Sequence, residues 1–316
     1  MAPLLSIKDL TVDYRHEDRW LPAVKNVFLD VSEGETVAIV GESGCGKSTL
    51  ALTPLGLLPQ DGTCRTTGQV FLNDKNLFNL KEEERRLLRG RRIAMVFQDP
   101  FSSLNPVLTI NYQLQEAIIL KEGKPNHQTA MDLLKQVHLS DAERILESYP
   151  HQISGGQRQR VLIAMALVHH PALLIADEPT TALDVTIQDE ILQLLKELKT
   201  KLGMAMIFIT HNMGIVKNIS DRMAVMYAGH IVELGKTADV LAAPKHPYTQ
   251  ALLRSLPKLT GSLGTIPVME GQPPEPSAMP AGCPFHPRCD RTFERCEKED
   301  PFERDSDGRR VQCHLF

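Results

Sequence analysis

The chain has 316 residues, enough for one large domain or two smaller ones at roughly 150 residues each. A hydrophobic content of 42% with 23% charged residues is that of a globular protein and argues against disorder. Lys and Arg number 35 against 39 Asp and Glu, a net charge of −4, so the excess basic charge of a nucleic-acid binder is missing.

The first residues, MAPLLSIKDLTVDY, lack the basic start and apolar run of a secretory signal. The longest apolar stretch, Val161–Ala176, is interrupted by His169, His170 and Pro171 and falls short of the ~20 residues a bilayer requires. A soluble protein that stays where it is made is expected. Leu5, Ile7, Leu10, Val12 and Tyr14 alternate with polar residues as in a strand. A second apolar run, Thr36–Val40, ends at a glycine-rich turn, after which Lys47–Leu57 has helical spacing. Further strand-type runs are Gln69–Leu72, Ile93–Phe97, Leu173–Ala176, Met204–Ile209 and Met223–Tyr227, with helical patterns at Arg158–Val168 and Ile187–Leu202. This alternation predicts an α/β fold with a largely parallel sheet. Between Phe97 and Leu173 the strand signal gives way to helical spacing at Asn111–Leu120 and Thr129–Val137, which predicts an inserted helical subdomain over 99–160 between two halves of a core, 1–98 and 161–235. A third region covers 236–316. Its Pro- and Gly-rich stretch, Gly261–Gly282, reads as a linker into a small cysteine-bearing module packed apart from the α/β core.

Gly41-Glu42-Ser43-Gly44-Cys45-Gly46-Lys47-Ser48, followed by Thr49, matches G-x-x-x-x-G-K-[ST]. Glycines let the backbone curl so that successive N–H groups face phosphate oxygens, and the helix that follows adds its positive end. In that pattern Lys47 reaches the β- and γ-phosphates and the Ser48 hydroxyl ligates Mg²⁺; no separate chemistry is assigned to Cys45. Leu173-Leu-Ile-Ala-Asp177-Glu178 ends an apolar strand in two carboxylates, one placed for the magnesium shell and one for the attacking water. Taken singly, these segments could also be a glycine-rich turn and a solvated acidic turn.

Residues 153–157, Ile-Ser-Gly-Gly-Gln, resemble the signature of ATP-binding-cassette transporters, with Ile153 where Leu is usual. Gln98, Asp177-Glu178, Ala182-Leu183-Asp184 and His211 follow in that family's order, so the resemblance covers residues 4–235. It implies an ABC-type P-loop core that binds and hydrolyses ATP with Mg²⁺ held by Ser48, Asp177 and Gln98. It further implies Glu178 as general base, His211 at the γ-phosphate and Gln98 at the metal or the lytic water. Tyr14 becomes the candidate to stack on adenine, ahead of Phe28 and Trp20. Two such cassettes would pack head to tail, with Ser154, Gly155, Gly156 and Gln157 completing the partner's nucleotide site. Locally, Ser-Gly-Gly-Gln reads as a helix N-cap.

A lone cassette with a C-terminal extension resembles an importer subunit, and His246-Pro247-Tyr248-Thr249 resembles a segment of oligopeptide and dipeptide importer ATPases. The resemblance implies a second cassette, the same or different, two membrane permeases, an extracytoplasmic binding protein, and a peripheral position on the cytoplasmic face of the membrane. Nickel or metallophore import is the same-fold alternative, and a non-transport cassette is the different one. Without the resemblance, HPYT is a turn leading into a helix.

Cys283, Cys289, Cys296 and Cys313 fall within 31 positions. Four thiolates suit Zn²⁺ or an iron–sulfur cluster, the spacing does not separate the two, and free or paired thiols are the third reading. Gly282-Cys-Pro-Phe-His-Pro-Arg-Cys289 is similar to the tail of dipeptide-importer ATPases, for which a [4Fe–4S] cluster is implied. His286 and His314 are spare ligands.

Overall fold

The computed structural model describes residues 2–181, 183–255 and 269–316. Ala182 and the 261–268 part of the expected linker lie outside the described residues. The chain divides into two compact units, Met1–Asn79 with Phe208–Phe316, and Leu80–Ile207.

In the first unit, strands Arg19–Val31, Leu5–His16, Cys64–Leu72 and Lys75–Asn76 lie side by side in that order, all antiparallel. The alternation expected around Leu5–Tyr14 is a strand, but Asp9 takes a left-handed φ of 49° and the pairing slips between Ile7 and Leu10. Such bulges re-aim the side chains that follow. The same irregularity hid its neighbour. Arg19–Val31 buries Val24, Val27, Leu29 and Val31, but Pro22 and a left-handed Asn26 confine the period of two to Val27–Val31. The largely parallel sheet that was expected is thus accompanied by an antiparallel one.

The same unit holds a second group of strands. Thr36–Val40 runs parallel to Arg222–Tyr227, with Val37 opposite Arg222 and Val40 opposite Val225. His230–Lys236 returns antiparallel to Arg222–Tyr227, and the C-terminal hairpin Glu303–Ser306/Arg309–Gln312 pairs onto it, with Val311 opposite Glu233. All five residues of Thr36–Val40 are buried, as a strand covered on both faces requires. The helix expected over Lys47–Leu57 ends at Leu52 and tightens into a 3₁₀ turn, Thr53–Leu55. Pro54 has no N–H for the carbonyl of Leu50, and Gly56 closes the turn in the left-handed conformation.

The second unit contains the parallel pair Ile93–Val96 and Leu173–Asp177 together with the helices Ile110–Glu122, His127–Gln136, Gly155–Leu167 and Val185–Leu202. Thr109 and Asn126 cap the first two of these, each accepting a backbone N–H. Leu114, Ile118, Leu134, Ile145, Val161 and Leu195 are buried in its interior. Among the described residues no helix is long and apolar enough to cross a membrane.

Candidate nucleotide site

Strand Thr36–Val40 delivers the chain into the Gly41–Ser48 loop, and helix Lys47–Leu52 leaves it. Two glycines are obligatory here. A Cβ on Gly41 would lie 2.2 Å from the Met226 carbonyl oxygen. One on Gly46 would lie 2.2 Å from that of Ala23, and Gly46 has φ +103°, where L side chains are rare. Lys47 is buried, and its Nζ donates to the carbonyl oxygens of Gly41 and Glu42, both at 2.9 Å. Cys45 packs beneath it, and burial raises its thiol pKa despite the nearby ammonium of Lys47. Ser43, Gly44 and Ser48 are exposed, and Thr49 is half-buried. Tyr14 Oη stands 3.4 Å from Thr49 Oγ1, so the candidate adenine platform borders the helix that follows the loop. Of its competitors, Trp20 is covered by the Arg65 guanidinium and Phe28 is exposed. His211 follows strand Ala205–Thr210 and is exposed.

In the second unit the structure brings Gln98 and Glu178 together: Gln98 Nε2 donates to Glu178 Oε2 at 3.1 Å. Thr181 Oγ1 donates to the same oxygen at 2.8 Å, a partner that sequence reasoning missed. Glu178 is 8% exposed and sits at φ 45°, in the left-handed region. A non-glycine residue there costs on the order of 1–3 kcal/mol. Asp177 closes the apolar strand and is buried. The carboxylate of Asp177 and the hydroxyl of Ser48 are hard oxygen donors, the chemistry Mg²⁺ takes. Ser154 caps helix Gly155–Leu167 in a reciprocal box: Gln157 N–H donates to Ser154 Oγ, and Ser154 N–H donates to Gln157 Oε1. A Cβ on Gly156 would press to 2.8 Å from Ile187 Cγ2, so this face admits only glycine without rearrangement.

The C-terminal segment behaves differently from expectation. His246 is the N-cap of helix Pro247–Arg254, its Nδ1 accepting from Tyr248 N–H; burial drives its pKa down to about 3. Tyr248 and Phe285 pack against Tyr227 with ring centres 4.6 and 5.2 Å away. Cys283, Phe285 and Cys296 share one buried cluster with Ala38, Val40 and Val225 of the strands beneath the phosphate loop. The segment is thus not packed apart from the α/β core. Tyr227, Tyr248, Phe285, Cys283 and Cys296 fill one interior with Ala38, Val40 and Val225. 

All four tail cysteines are free and line one small cavity with His246, His286 and His314. Burial pushes the Cys283 thiol up to about 11, with Cys313, Cys296 and Cys289 adding to the shift. Among the described residues, however, no group of three or more His, Cys, Asp or Glu is assembled to hold a metal ion. A formed zinc or iron–sulfur site on Cys283, Cys289, Cys296 and Cys313 is thus not shown by the described residues, although the four thiols line one cavity.

The family profile described as ABC transporter matches residues 24–181. The chain belongs to that family. A second profile, for the C-terminal region of oligopeptide/dipeptide transporters, matches residues 232–296 of this ABC protein. The oligopeptide transport ATP-binding protein AppD of Bacillus subtilis (strain 168) is 42% identical over 320 residues, covering 100% of this chain and 98% of that one. The dipeptide transport ATP-binding protein DppD of Escherichia coli (strain K12) is 44% identical over 315 residues, 98% of this chain and 96% of that one. Among solved structures, the ATP-binding cassette MJ0796 in a dimeric post-hydrolysis state with ADP and Pi is 31% identical. It aligns with a TM-score of 0.65 over 74% of this chain and 98% of that one. CbiO1 of Clostridium perfringens, part of the ABC transporter complex cbiONQ, is 28% identical with a TM-score of 0.64, over 77% and 92%. The mixed α/β cassette fold is therefore that of an ABC ATPase.

Proposed function

We propose that this chain is the ATP-hydrolysing subunit of an importer for di- and oligopeptides, working at the cytoplasmic face of the membrane. The observation that carries the reading is the joint presence of the phosphate loop and a C-terminal region matching that of oligopeptide/dipeptide transporters, in relatives aligned over nearly their whole length. In this reading Gly41–Thr49 cradles the phosphates, Lys47 pairs with the β- and γ-oxygens, and Tyr14 stacks on adenine. Ser48, Asp177 and Gln98 would hold Mg²⁺, which polarises the phosphoryl oxygens when bound. Glu178, oriented by Gln98 and Thr181, takes the proton of the attacking water, and His211 contacts the γ-phosphate. Ser154–Gln157 serves the nucleotide of a second cassette, and residues 99–160 carry that signature as a helical subdomain. Two permeases and an extracytoplasmic binding protein complete the assembly. The test is reconstitution with the permeases, partner cassette and binding protein in vesicles. ATP hydrolysis should rise when a peptide-loaded binding protein is added. Stimulation by nickel-loaded binding protein and not by peptide would move the cargo to the metal importers.

A finer part of the same reading concerns the tail. Cys283, Cys289, Cys296 and Cys313 would hold a [4Fe–4S] cluster, supported by four free thiols that line one cavity. Anaerobic purification should give a brown protein containing iron and acid-labile sulfide, and Cys296→Ser should bleach it. A colourless preparation with stoichiometric zinc would replace iron by zinc, and one without metal would remove the site.

A further inference from the structure

Glu42 lies inside the phosphate loop, and all three of its polar groups are engaged. Its carbonyl oxygen accepts from Lys47 Nζ at 2.9 Å, and its N–H donates to Tyr248 Oη at 3.0 Å. Its carboxylate forms a two-pronged pair with Arg288, Nη1 to Oε2 at 2.7 Å and Nη2 to Oε1 at 3.0 Å. The Arg288 side chain is 4% exposed and is fixed from its other sides: Nε donates to the Glu270 carbonyl at 3.2 Å, and the Tyr227 hydroxyl lies 3.4 Å from Nη1. Tyr248 belongs to the HPYT segment and Arg288 precedes Cys289 of the tail, so both of these partners of Glu42 come from the C-terminal region.

We propose that Arg288 and Tyr248 are positioning residues for ATP binding, clamping the phosphate loop through Glu42. The physical case has two parts. An unpaired carboxylate in this loop would repel the phosphates that the loop is built to receive, and a planar guanidinium cancels it with fixed geometry, as an ammonium would not. The Glu42 carbonyl also accepts from Lys47, so the orientation of that peptide fixes the lysine that meets the phosphates. Tyr248 Oη holds the preceding peptide, Gly41–Glu42, from its N–H side, and the Gly41 carbonyl of that peptide also accepts from Lys47 Nζ at 2.9 Å.

This inference rests on the nucleotide reading of the loop, and its test separates the two. Mg-ATP affinity is measured by calorimetry on the full-length chain, and KM and kcat in the assembled transporter. Arg288→Ala should weaken ATP binding about tenfold, ~1.4 kcal/mol, raising KM while kcat at saturating ATP stays near wild type. Arg288→Lys should fall between. Glu42→Gln combined with Arg288→Ala should recover most of the loss, because no unpaired carboxylate then faces the phosphates. Tyr248→Phe should weaken binding less and speed amide exchange at Glu42. A purely architectural role would lower the folded fraction and kcat together with KM unchanged, and that result overturns the clamp. So does wild-type affinity in Arg288→Ala when Lys47→Ala abolishes binding. Should Lys47→Ala also bind ATP normally, the nucleotide reading itself fails and the clamp with it.

Discussion

Glu178→Gln isolates the proton-accepting role of Glu178 from everything else that the side chain does. Two donors, Gln98 Nε2 and Thr181 Oγ1, converge on one carboxylate oxygen, Oε2, at 3.1 and 2.8 Å. An amide oxygen has two lone pairs and can accept both, so the replacement keeps shape, burial and hydrogen bonds while removing charge and basicity. Backbone strain at φ 45° is the same for Glu and Gln, which keeps it out of the comparison. Hydrogen bonds to a charged acceptor are roughly twice as strong as neutral ones, so weakening both lowers stability by about 2 kcal/mol. Loss of a general base costs ~10²–10⁴ in rate, or about 2.7–5.5 kcal/mol of barrier. Phosphate release by the assembled transporter should therefore fall through that range while Mg-ATP affinity holds, and the ATP-bound closed dimer should accumulate. A loss smaller than about tenfold, below the range for a general base, refutes the assignment.

Gly46→Ala should abolish measurable ATP binding and lower the melting temperature, because its Cβ meets the Ala23 carbonyl at 2.2 Å and φ +103° adds strain of about 1–3 kcal/mol; unchanged affinity by calorimetry would sink the reasoning. Hydrolysis by the isolated chain should be slow and should rise more than linearly with protein concentration, since each site awaits Ser154–Gln157 of another copy or partner; a concentration-independent specific activity speaks against shared sites. His246 and His230 have pKa values lowered by burial to about 3 and about 4 from an ordinary 6.5, so the unfolded chain takes up both protons first and stability falls as pH drops below 6.5. His246→Asn keeps a capping acceptor for Tyr248 N–H and should roughly halve that slope, ~1.4 kcal/mol per pH unit for each proton; denaturant midpoints that fall equally steeply in both chains would show that His246 is not neutral in the fold.

What the sequence revealed depends on how local the constraint is. The phosphate loop is legible because Gly41, Gly46 and Lys47 answer to requirements met within eight residues. The Ser154 cap is legible for the same reason: its two hydrogen bonds close over three positions. The Arg288–Glu42 pair spans 246 positions, and neither residue type signals the other. Strand Arg19–Val31 was hidden by Pro22 and by bulged pairing, which put a spacing of three between Val24 and Val27 and leave a period of two only over Val27–Val31. Thr181 is as near to Glu178 as a helix cap to its box, yet a threonine after two acids carries no distinctive pattern.

The misplaced expectation about the tail has a physical cause as well. Proline, glycine and cysteine in a short stretch describe a chain without regular structure, and composition alone assigns such a chain to the periphery. Here the few apolar residues are concentrated where they matter. Tyr248 and Phe285 are almost completely buried, and with Cys283 and Cys296 they cover Val40, Val225 and Tyr227. A chain ending at Lys236 would expose that surface. At about 25 cal/mol per Å² of apolar area, burying one such aromatic side chain contributes roughly 1.5–3 kcal/mol. It would also lose the strand Arg309–Gln312 from the edge of His230–Lys236, and Tyr248 and Arg288 from Glu42. The residues that distinguish this protein from a bare cassette are therefore the ones that shape the loop on which ATP binding depends.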